Sequence, residues 1–458
     1  MSPCPGRVAL LRRAGTPKTT MGPGSAAHRF ALRSVRGTKE ESSKMNFDDT
    51  PQEAAFRETA RKWVEANAPK ELHAELSKSS LGRIRLAKHD IVDVGKAWQK
   101  KKFEGNWACL HWPKEYGGRD ATPIEKVIWQ QEEGVYGKLT QPFQIGEGMC
   151  GPTVMAFGSE DAKRRHLPKL ASGEEIWCQL FSEPSAGSDV AGLRTRAEKK
   201  GDNWVVNGQK IWTSGAHYSD FGLLIARTDP NVPKHKGLTM FFLDMKSPGV
   251  EVRPIKQANG MQEFNEVYFT DVVISDSQRL GAVGEGWSVS LTTLMNERMS
   301  IGSRLATGVP EMFEFCSNLM LEDGLAIDDP AVRSKLASWA VKSSGLKYTS
   351  YRAISALSKG DRPGPENSIG KLVSGMMLQD IATYAMDLQG AAGVLTGADE
   401  ETVQGQFQQM LLSSPSMRIA GGTDEILRNI IAERVLGLPG DIRVDKDVPY
   451  NKIPTKGR

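Results

Sequence analysis

The sequence lacks the patterns that mark several large classes of protein. No apolar run reaches the 18 residues that suggest a membrane-spanning helix, because the longest runs, such as 221–226, are only strand-sized. The five cysteines are scattered and never form a Cys-x-x-Cys pair, so we expect neither a zinc site nor a disulfide framework. The seven histidines show no ligand spacing, and no Ser/His/Asp arrangement is evident. The residues therefore favour neither metal nor hydrolase chemistry.

Nucleotide-binding loops of the common kinds are also missing. The segment from Gly364 to Lys371 has one residue too many for a P-loop, and Leu372 follows where Ser or Thr is needed. The Gly284-x-Gly286 pair has no third glycine and does not lead from a strand into a turn. Nicotinamide chemistry on a Rossmann fold is therefore not expected.

The charge is unevenly distributed. The chain has a formal net charge of +4, but residues 1–44 carry +7, which leaves −3 on residues 45–458. A mildly acidic body argues against a nucleic-acid partner, since phosphate binding needs clustered cations. Residues 1–44 indicate a disordered tail or an upstream start codon, with a transit peptide as the alternative. The corresponding locations are the cytoplasm and, as the alternative, the mitochondrial matrix.

Hydrophobic periodicity changes twice along the 458 residues. Helical spacing from 45–175 gives way to short strands over 176–284 and returns over 285–440, with a C-terminal tail at 441–458. Asn207-Gly208 between two strand-like runs predicts a hairpin turn. The connections between the strands are too short for crossover helices, which predicts an antiparallel sheet. The fold class is therefore α+β, mostly α.

Three turns rich in glycine and hydroxyl side chains stand out. The loop 181–189 offers free N–H groups and small hydroxyls, although such a loop is usually just a loop. Segment 211–215 places Trp212 beside two hydroxyls at a strand end, where tryptophan is ordinarily core packing. Segment 420–426 leads into a helix N-terminus, which suits a phosphate or polyol but equally a simple threonine N-cap.

In this order and spacing, the three turns resemble the acyl-CoA dehydrogenase family, and the likeness covers about 46–440. Further matching pieces are the sequence WPKEYGG at 112–118, the triplet at 265–267 and the segment 428–434 followed by Gly437. The resemblance implies an N-terminal helical domain, a middle antiparallel β-barrel-like domain and a C-terminal four-helix bundle.

The resemblance also implies FAD as the cofactor and an acyl-CoA as the substrate. The residues that it implies near FAD are Gln179, Leu180, Phe181, Ser182, Ser188, Trp212, Thr213, Ser214, Thr423 and Glu425. Those implied near the substrate are Ser188, Met295, Asn296 and Arg298. No metal is implied.

The catalytic base is the position at which the chain departs from most of the family. Many members carry a glutamate just before the last helix, where this chain has Gly421. A minority, similar to isovaleryl-CoA and long-chain acyl-CoA dehydrogenases, carry it on the helix after the β domain, where this chain has Glu297 before an arginine. The resemblance therefore implies that Glu297 removes the α proton while the β hydride passes to the flavin. Burial against substrate and flavin would raise the pKa of this base.

Partners and substrate stay open in part. The resemblance implies an electron-transfer flavoprotein as electron acceptor and a homotetramer or homodimer. The family's Arg-x-x-Phe-Gly segment is missing near 320–335, which together with Gly421 favours an alternative, a non-catalytic or half-active subunit of a hetero-oligomer. Direct use of oxygen is a further alternative. The acyl group, whether fatty, steroid-derived or aromatic, is not encoded in any recognisable motif.

Overall fold

The computed structural model describes residues 49–77, 86–302, 308–358, 364–394, 403–442 and 445–454. The predicted extension at 1–44 lies outside these residues, and so does the side chain of Arg298, although its backbone is helical. Within them the chain is α+β and mostly helical: along the sequence, a group of helices is followed by a sheet and then by a second group of helices. This confirms the predicted fold class.

The N-terminal part is helical. Its helices are α1 (Pro51–Asn67), α2 (His73–Ser77), α3 (Ile91–Glu104), α4 (Pro123–Glu133), α5 (Gly151–Phe157) and α6 (Glu160–Ser172). The first begins at Pro51, and proline suits the first helical position because the N–H that it lacks would have no partner within the helix. Side-chain caps define other starts: Thr122 and Glu125 form a reciprocal capping box on α4, and Ser159 caps α6.

Four tryptophans bind these helices together. Trp107 and Trp129 stack with ring centroids 4.6 Å apart, and Trp63 lies within 6.0 Å of both and of Trp98. Aromatic pairs at such distances stabilise beyond the area they bury. The N-terminal helices therefore have a core of their own.

The middle part is one mixed sheet, mostly antiparallel. Its strands are β1 (Trp177–Leu180), β2 (Arg196–Lys200), β3 (Asn203–Ser214), β4 (Phe221–Arg227), β5 (Leu238–Asp244), β6 (Val250–Pro254), β7 (Phe264–Ser275) and β8 (Arg279–Leu280). The order is β6-β7-β3-β2-β4-β5-β8, with β1 paired to β4 in parallel. The sheet does not close into a barrel, so the resemblance is corrected on this point. β4 and β5 are almost continuously buried because both of their faces are covered.

The predicted hairpin at Asn207-Gly208 is wrong. β3 runs unbroken through both residues, pairing with β7 over most of its length and with β2 over 203–207. The register shifts at this point, which makes a bulge, and a Cβ on Gly208 would lie 2.5 Å from Thr195 Oγ1. Asn207 pairs across the sheet with Asp271, whose Oδ1 accepts from its side-chain amide at 3.0 Å. Glycine thus permits close strand approach rather than a turn.

The C-terminal part is again helical. Its helices are α7 (Gly286–Gly302), α8 (Val309–Asn318), α9 (Pro330–Ser358), α10 (Asn367–Gln389), α11 (Val403–Ile419) and α12 (Asp424–Ile430), and a short hairpin of β9 (Met320–Leu321) and β10 (Gly324–Leu325) lies between α8 and α9. Phe315, Trp339, Ile381 and Phe407 lie in the core that α8, α9, α10 and α11 share. Among the described residues, no helix has the length and apolar content that crossing a bilayer requires.

Candidate functional site

Strand β1 and the loop behind it carry the first group of candidate residues. Leu180 and Phe181 are buried in the core, whereas Gln179 and Ser182 are half-buried. The carbonyl of Ser182 accepts from the backbone N–H of Ile211 at 2.9 Å. This bond joins the loop to β3, so segments 179–182 and 212–214 lie next to each other.

A buried ion pair fastens the same junction, and the sequence reasoning missed it. Lys210 is fully buried, and its Nζ lies 2.8 Å from Glu183 Oε1 and donates to the Phe181 carbonyl at 3.0 Å. The two oxygens of Glu183 also accept from the backbone N–H groups of Arg194 (2.6 Å) and Thr195 (2.9 Å). The signal in the sequence is a lysine among the inward-facing positions of a strand, where an unpaired charge would be costly.

The pair shifts the titration of both members. Burial lowers the pKa of Lys210, and the charge of Glu183 only partly offsets this. Burial by itself would raise the pKa of Glu183, but the charge of Lys210 and the hydrogen bonds bring the pKa below its ordinary value. The carboxylate is therefore ionised at neutral pH and ties the loop, the strand and the turn at 194–195 together.

Trp212 is held in an unusual conformation. Its φ is +60°, in the left-handed region that bulky residues rarely adopt, and the register between β3 and β7 shifts between Lys210 and Thr213. The indole is 56% exposed. A bulge at this point turns the ring out of the sheet, so that its face is available to a planar ligand.

Asn265, which is fully buried, supports this bulge from β7. Its Nδ2 donates to the carbonyls of Thr213 (2.9 Å) and Glu263 (3.1 Å), and its Oδ1 lies 3.2 Å from His217 Nδ1. The side chain of an asparagine thus replaces strand bonds that the bulge disrupts.

The hydrogen bonding of the Thr213 hydroxyl indicates whether the site suits a polar heteroaromatic ligand. Thr213 Oγ1 is buried and has no hydrogen-bond partner within the described residues. Buried hydroxyls are nearly always satisfied, so this one is available to a ligand atom. The exposed indole of Trp212 and the half-buried Ser214 lie on either side of it in the chain. An aromatic face beside a hydroxyl that has no partner among the described residues suits a flavin ring, so the residues present fit FAD.

The loop after Glu183 presents Ser188 to solvent. Glu183 and Ala186 exchange two backbone hydrogen bonds (2.9 and 3.0 Å), and Gly187 and Ser188 beyond them are exposed. A Cβ on Gly187 would meet nothing within 4 Å. The loop has room for a bulky anionic ligand beside a hydroxyl.

Helix α7 carries the proposed base on its inward side. Val289 and Thr293 are fully buried, and Glu297 follows one turn later on the same face, half-buried. Met295 is 51% exposed, and Asn296 donates its amide to the Thr292 carbonyl at 2.9 Å within the helix. Met295 and Asn296 thus lie beside Glu297 on the helix but not on its buried stripe.

Two successive glycines form the turn ahead of α12. Gly421 and Gly422 have φ of +67° and +98°, which glycine adopts without strain. Thr423 then caps the helix, its side chain accepting from the Ile426 N–H at 3.3 Å. Glu425 is exposed, and its carboxylate lies 4.0 Å from Arg428. The N-cap reading of Thr423 is thus confirmed, while contact of Thr423 and Glu425 with a cofactor remains a prediction.

A buried lysine connects this turn with α7. Lys371 on α10 is 7% exposed, and its Nζ donates to the Gly422 carbonyl at 2.5 Å. Burial lowers the pKa of Lys371, and the charges of Asp424 and Glu297 oppose that shift. The cation therefore lies within electrostatic reach of Glu297, and the sequence reasoning had not identified it.

Helix α5 and the residues before it contact both strand β1 and helix α7. Cys150 Sγ donates to the Cys178 carbonyl, next to Gln179, at 3.6 Å. One turn further, Thr153 Oγ1 lies 2.9 Å from Thr293 Oγ1 on α7. The strand with the first loop and the helix with Glu297 are therefore packed on one common segment.

Comparison with known proteins points to one family throughout. Sequence profiles for the N-terminal, middle and C-terminal domains of acyl-CoA dehydrogenases match residues 50–174, 178–272 and 284–436. The acyl-CoA dehydrogenase IpdE1 of Mycobacterium tuberculosis is 35% identical over 398 residues, covering 85% of this chain and 98% of that protein.

Solved structures give the same result. The Tcur3481-Tcur3483 steroid ACAD superposes with a TM-score of 0.71 at 26% identity, covering 87% of this chain and 100% of that one. The ChsE4-ChsE5 complex from Mycobacterium tuberculosis has a TM-score of 0.70 at 28% identity, again covering 87% and 100%.

Proposed function

The chain belongs to the acyl-CoA dehydrogenase family and is an oxidoreductase, and we propose that it oxidises an acyl-CoA thioester to the trans-2-enoyl-CoA with FAD as its cofactor. The observation that carries the proposal is the placement of Glu297. It continues the buried stripe of α7 within reach of Lys371, and the alternative position for a base is Gly421, which has no side chain.

The proposed role of Glu297 is to remove the proton from the α carbon of the thioester. An α C–H is far too weak an acid for a carboxylate in water, so the site must stabilise the charge that develops on the thioester carbonyl. Packing of Glu297 beside buried residues of α7 excludes water from one side of it. The departing proton ends on the carboxylate of Glu297.

The cofactor would be held by the loop at 179–182, by Ser188 and by the Trp212 bulge. Thr213 and Ser214 would donate to its ring, Trp212 would cover a ring face, and Thr423 and Glu425 would contact it from α12. When bound, FAD supplies the acceptor for the hydride from the β carbon. Ser188 would also meet the CoA arm, and Met295, Asn296 and Arg298 would lie along the substrate. The proposed electron acceptor is an electron-transfer flavoprotein.

The test is Glu297→Gln, which keeps the shape of the side chain but cannot accept the proton. We expect the variant to keep FAD and to lose at least ~100-fold in turnover, the usual contribution of a positioned base. The rate at which the α protons of the substrate exchange with deuterated water, measured by NMR, should fall by the same factor as the turnover. Glu314→Gln, at an exposed glutamate of α8, is the matched control. Near-normal turnover of Glu297→Gln would remove the residue from this role.

The acyl group is proposed to be bulky and steroid-derived. The support is the likeness to the Tcur3481-Tcur3483 steroid ACAD, at 26% identity. A panel of straight-chain, branched, aromatic and steroid-derived acyl-CoA thioesters, assayed with an artificial electron acceptor, tests this. A preference of kcat/KM for straight chains would overturn it.

A second candidate function is that of a half-active or structural subunit. Gly421 favours it, and so does the likeness to the ChsE4-ChsE5 complex, which is built of two different chains. The chain purified alone should distinguish the candidates by its visible spectrum and its mass in solution. A yellow homotetramer or homodimer that bleaches with acyl-CoA supports the enzyme. A colourless protein that gains flavin only with a second chain supports the subunit.

A further inference from the structure

The last described residues of the chain, 445–454, lie beside the β sheet, where Pro449 pairs with Pro233. Residues 445–453, here called the C-terminal strap, run beside the loop between β4 and β5. The N–H groups of Tyr450 and Asn451 donate to the carbonyls of Val232 (2.9 Å) and Pro230 (3.0 Å). The side chain of Asn451 also donates to Asn231 Oδ1 at 2.9 Å. The strap is thus bonded through its backbone and is not a loose tail.

Below the strap lies Arg227, the last residue of β4, with only 4% of its surface exposed. Its guanidinium donates to three backbone carbonyls, those of Ala191 (2.5 Å), Leu193 (3.2 Å) and Lys234 (3.0 Å). The Tyr450 ring covers the guanidinium with its centroid 3.5 Å from Cζ, and the Tyr450 hydroxyl donates to the Gly192 carbonyl at 3.2 Å. Arg227 and Tyr450 together donate hydrogen bonds to three successive carbonyls, those of 191–193, in the segment that follows Ser188.

A second link is electrostatic. Lys234, 8% exposed, places its Nζ 3.0 Å from Asp189 Oδ2 and 2.7 Å from Asp445 Oδ2. Asp189 is the neighbour of Ser188, and Asp445 belongs to the strap. One buried cation therefore connects the strap with the residue next to the proposed ligand-binding hydroxyl.

From these contacts we infer that the C-terminal strap is a positioning element for the loop 185–193. The strap holds the backbone that follows Ser188 in the chain, at 189–193. The buried pair of Glu183 and Lys210 holds the backbone that precedes Ser188. A loop fixed at both ends presents its hydroxyl and N–H groups without a further loss of conformational entropy on binding. The inference rests on the proposed function, because the ligand of the loop is taken to be the diphosphate of FAD and the CoA arm.

Hydrogen–deuterium exchange of the full chain tests the contact itself. In Tyr450→Ala and Asp445→Asn, the amides of 189–193 should exchange at least about tenfold faster than in the parent protein. Tyr450→Phe keeps the ring over Arg227 and should recover most of the protection. Asp447→Asn, at an exposed carboxylate of the same strap, is the matched control and should leave exchange unchanged. Unaltered exchange in both Tyr450→Ala and Asp445→Asn would overturn the inference.

Ligand affinity tests whether the ordering matters for function. FAD binding to the apoprotein, followed by quenching of flavin fluorescence, should weaken by about tenfold in Tyr450→Ala, the lower end of the loss when a supporting partner is removed. KM for the acyl-CoA should rise while kcat at saturating FAD stays within about twofold, which a general loss of folded protein would not produce. Faster exchange with unchanged affinity and KM would also overturn the positioning role. A parent protein that binds no FAD would instead refute the proposed function, while the exchange result would stand.

Discussion

The buried pair of Glu183 and Lys210 makes a sharp prediction about stability. Glu183→Gln keeps the size of the side chain but leaves the Lys210 ammonium, which is fully buried, without its counter-charge. Removal of one partner from a buried pair costs about 3–5 kcal/mol, because the remaining charge stays out of water. The glutamine can still accept one of the backbone N–H groups that Glu183 accepts, so we expect about 3 kcal/mol.

The sign of the pH dependence follows from the carboxylate. Burial opposes ionisation of Glu183, but Lys210 and the hydrogen bonds hold the pKa below its ordinary value. Its contribution to stability is therefore present above about pH 4.3 and is lost as the pH falls through the folded-state pKa. The glutamine variant should lack this part of the acid dependence.

The assay is urea unfolding of the apoproteins, with free energies from linear extrapolation. Glu183→Gln/Lys210→Met should be more stable than Glu183→Gln, since no charge is then left unpaired. The control is Glu251→Gln, which breaks a solvent-exposed pair with Arg253 of similar length (2.7 Å). It should leave stability unchanged within error, because exposed pairs contribute little. A loss below about 1 kcal/mol in Glu183→Gln, or equal losses in the two glutamine variants, would refute the reasoning.

Two further predictions concern charge and thiol reactivity. The Lys371 ammonium lies within electrostatic reach of the Glu297 carboxylate and favours its charged form, so Lys371→Met should move the acid limb of the kcat/KM profile to higher pH. An unmoved limb would contradict this. Burial raises the pKa of Cys178 to about 12 and that of Cys316 to about 11, and the described cysteines are all buried. An aromatic disulfide reagent at pH 8 should therefore label no described thiol quickly in the native protein and all of them in urea, whereas rapid native labelling of two or more thiols would count against the burial.

Much of the architecture was predictable because it depends on local patterns. Helical spacing, a proline at the first helical position and runs of β-branched and aromatic residues are properties of neighbours in sequence. The apolar run at 221–226, for example, coincides with β4 (Phe221–Arg227) to within one residue. The candidate turns were likewise visible, since glycine and hydroxyl residues cluster there.

Asn207-Gly208 illustrates where local reasoning stops. The dipeptide is a strong turn signal in isolation, yet β3 has partners on both sides, and their hydrogen bonds outweigh a local preference. Whether a glycine makes a turn or a bulge depends on which strands lie beside it.

The sequence of this chain alone defined its family, its order of helix and sheet, and a short list of residues for a flavin and a base. Only the folded chain paired Lys210 with Glu183 and brought Tyr450 over Arg227. It also left the Thr213 hydroxyl without a hydrogen-bond partner among the described residues. These contacts join residues as far apart as 223 positions in the chain, Arg227 and Tyr450. Such contacts depend on how whole elements pack, and packing is a property of three-dimensional neighbours that no local pattern in the sequence records.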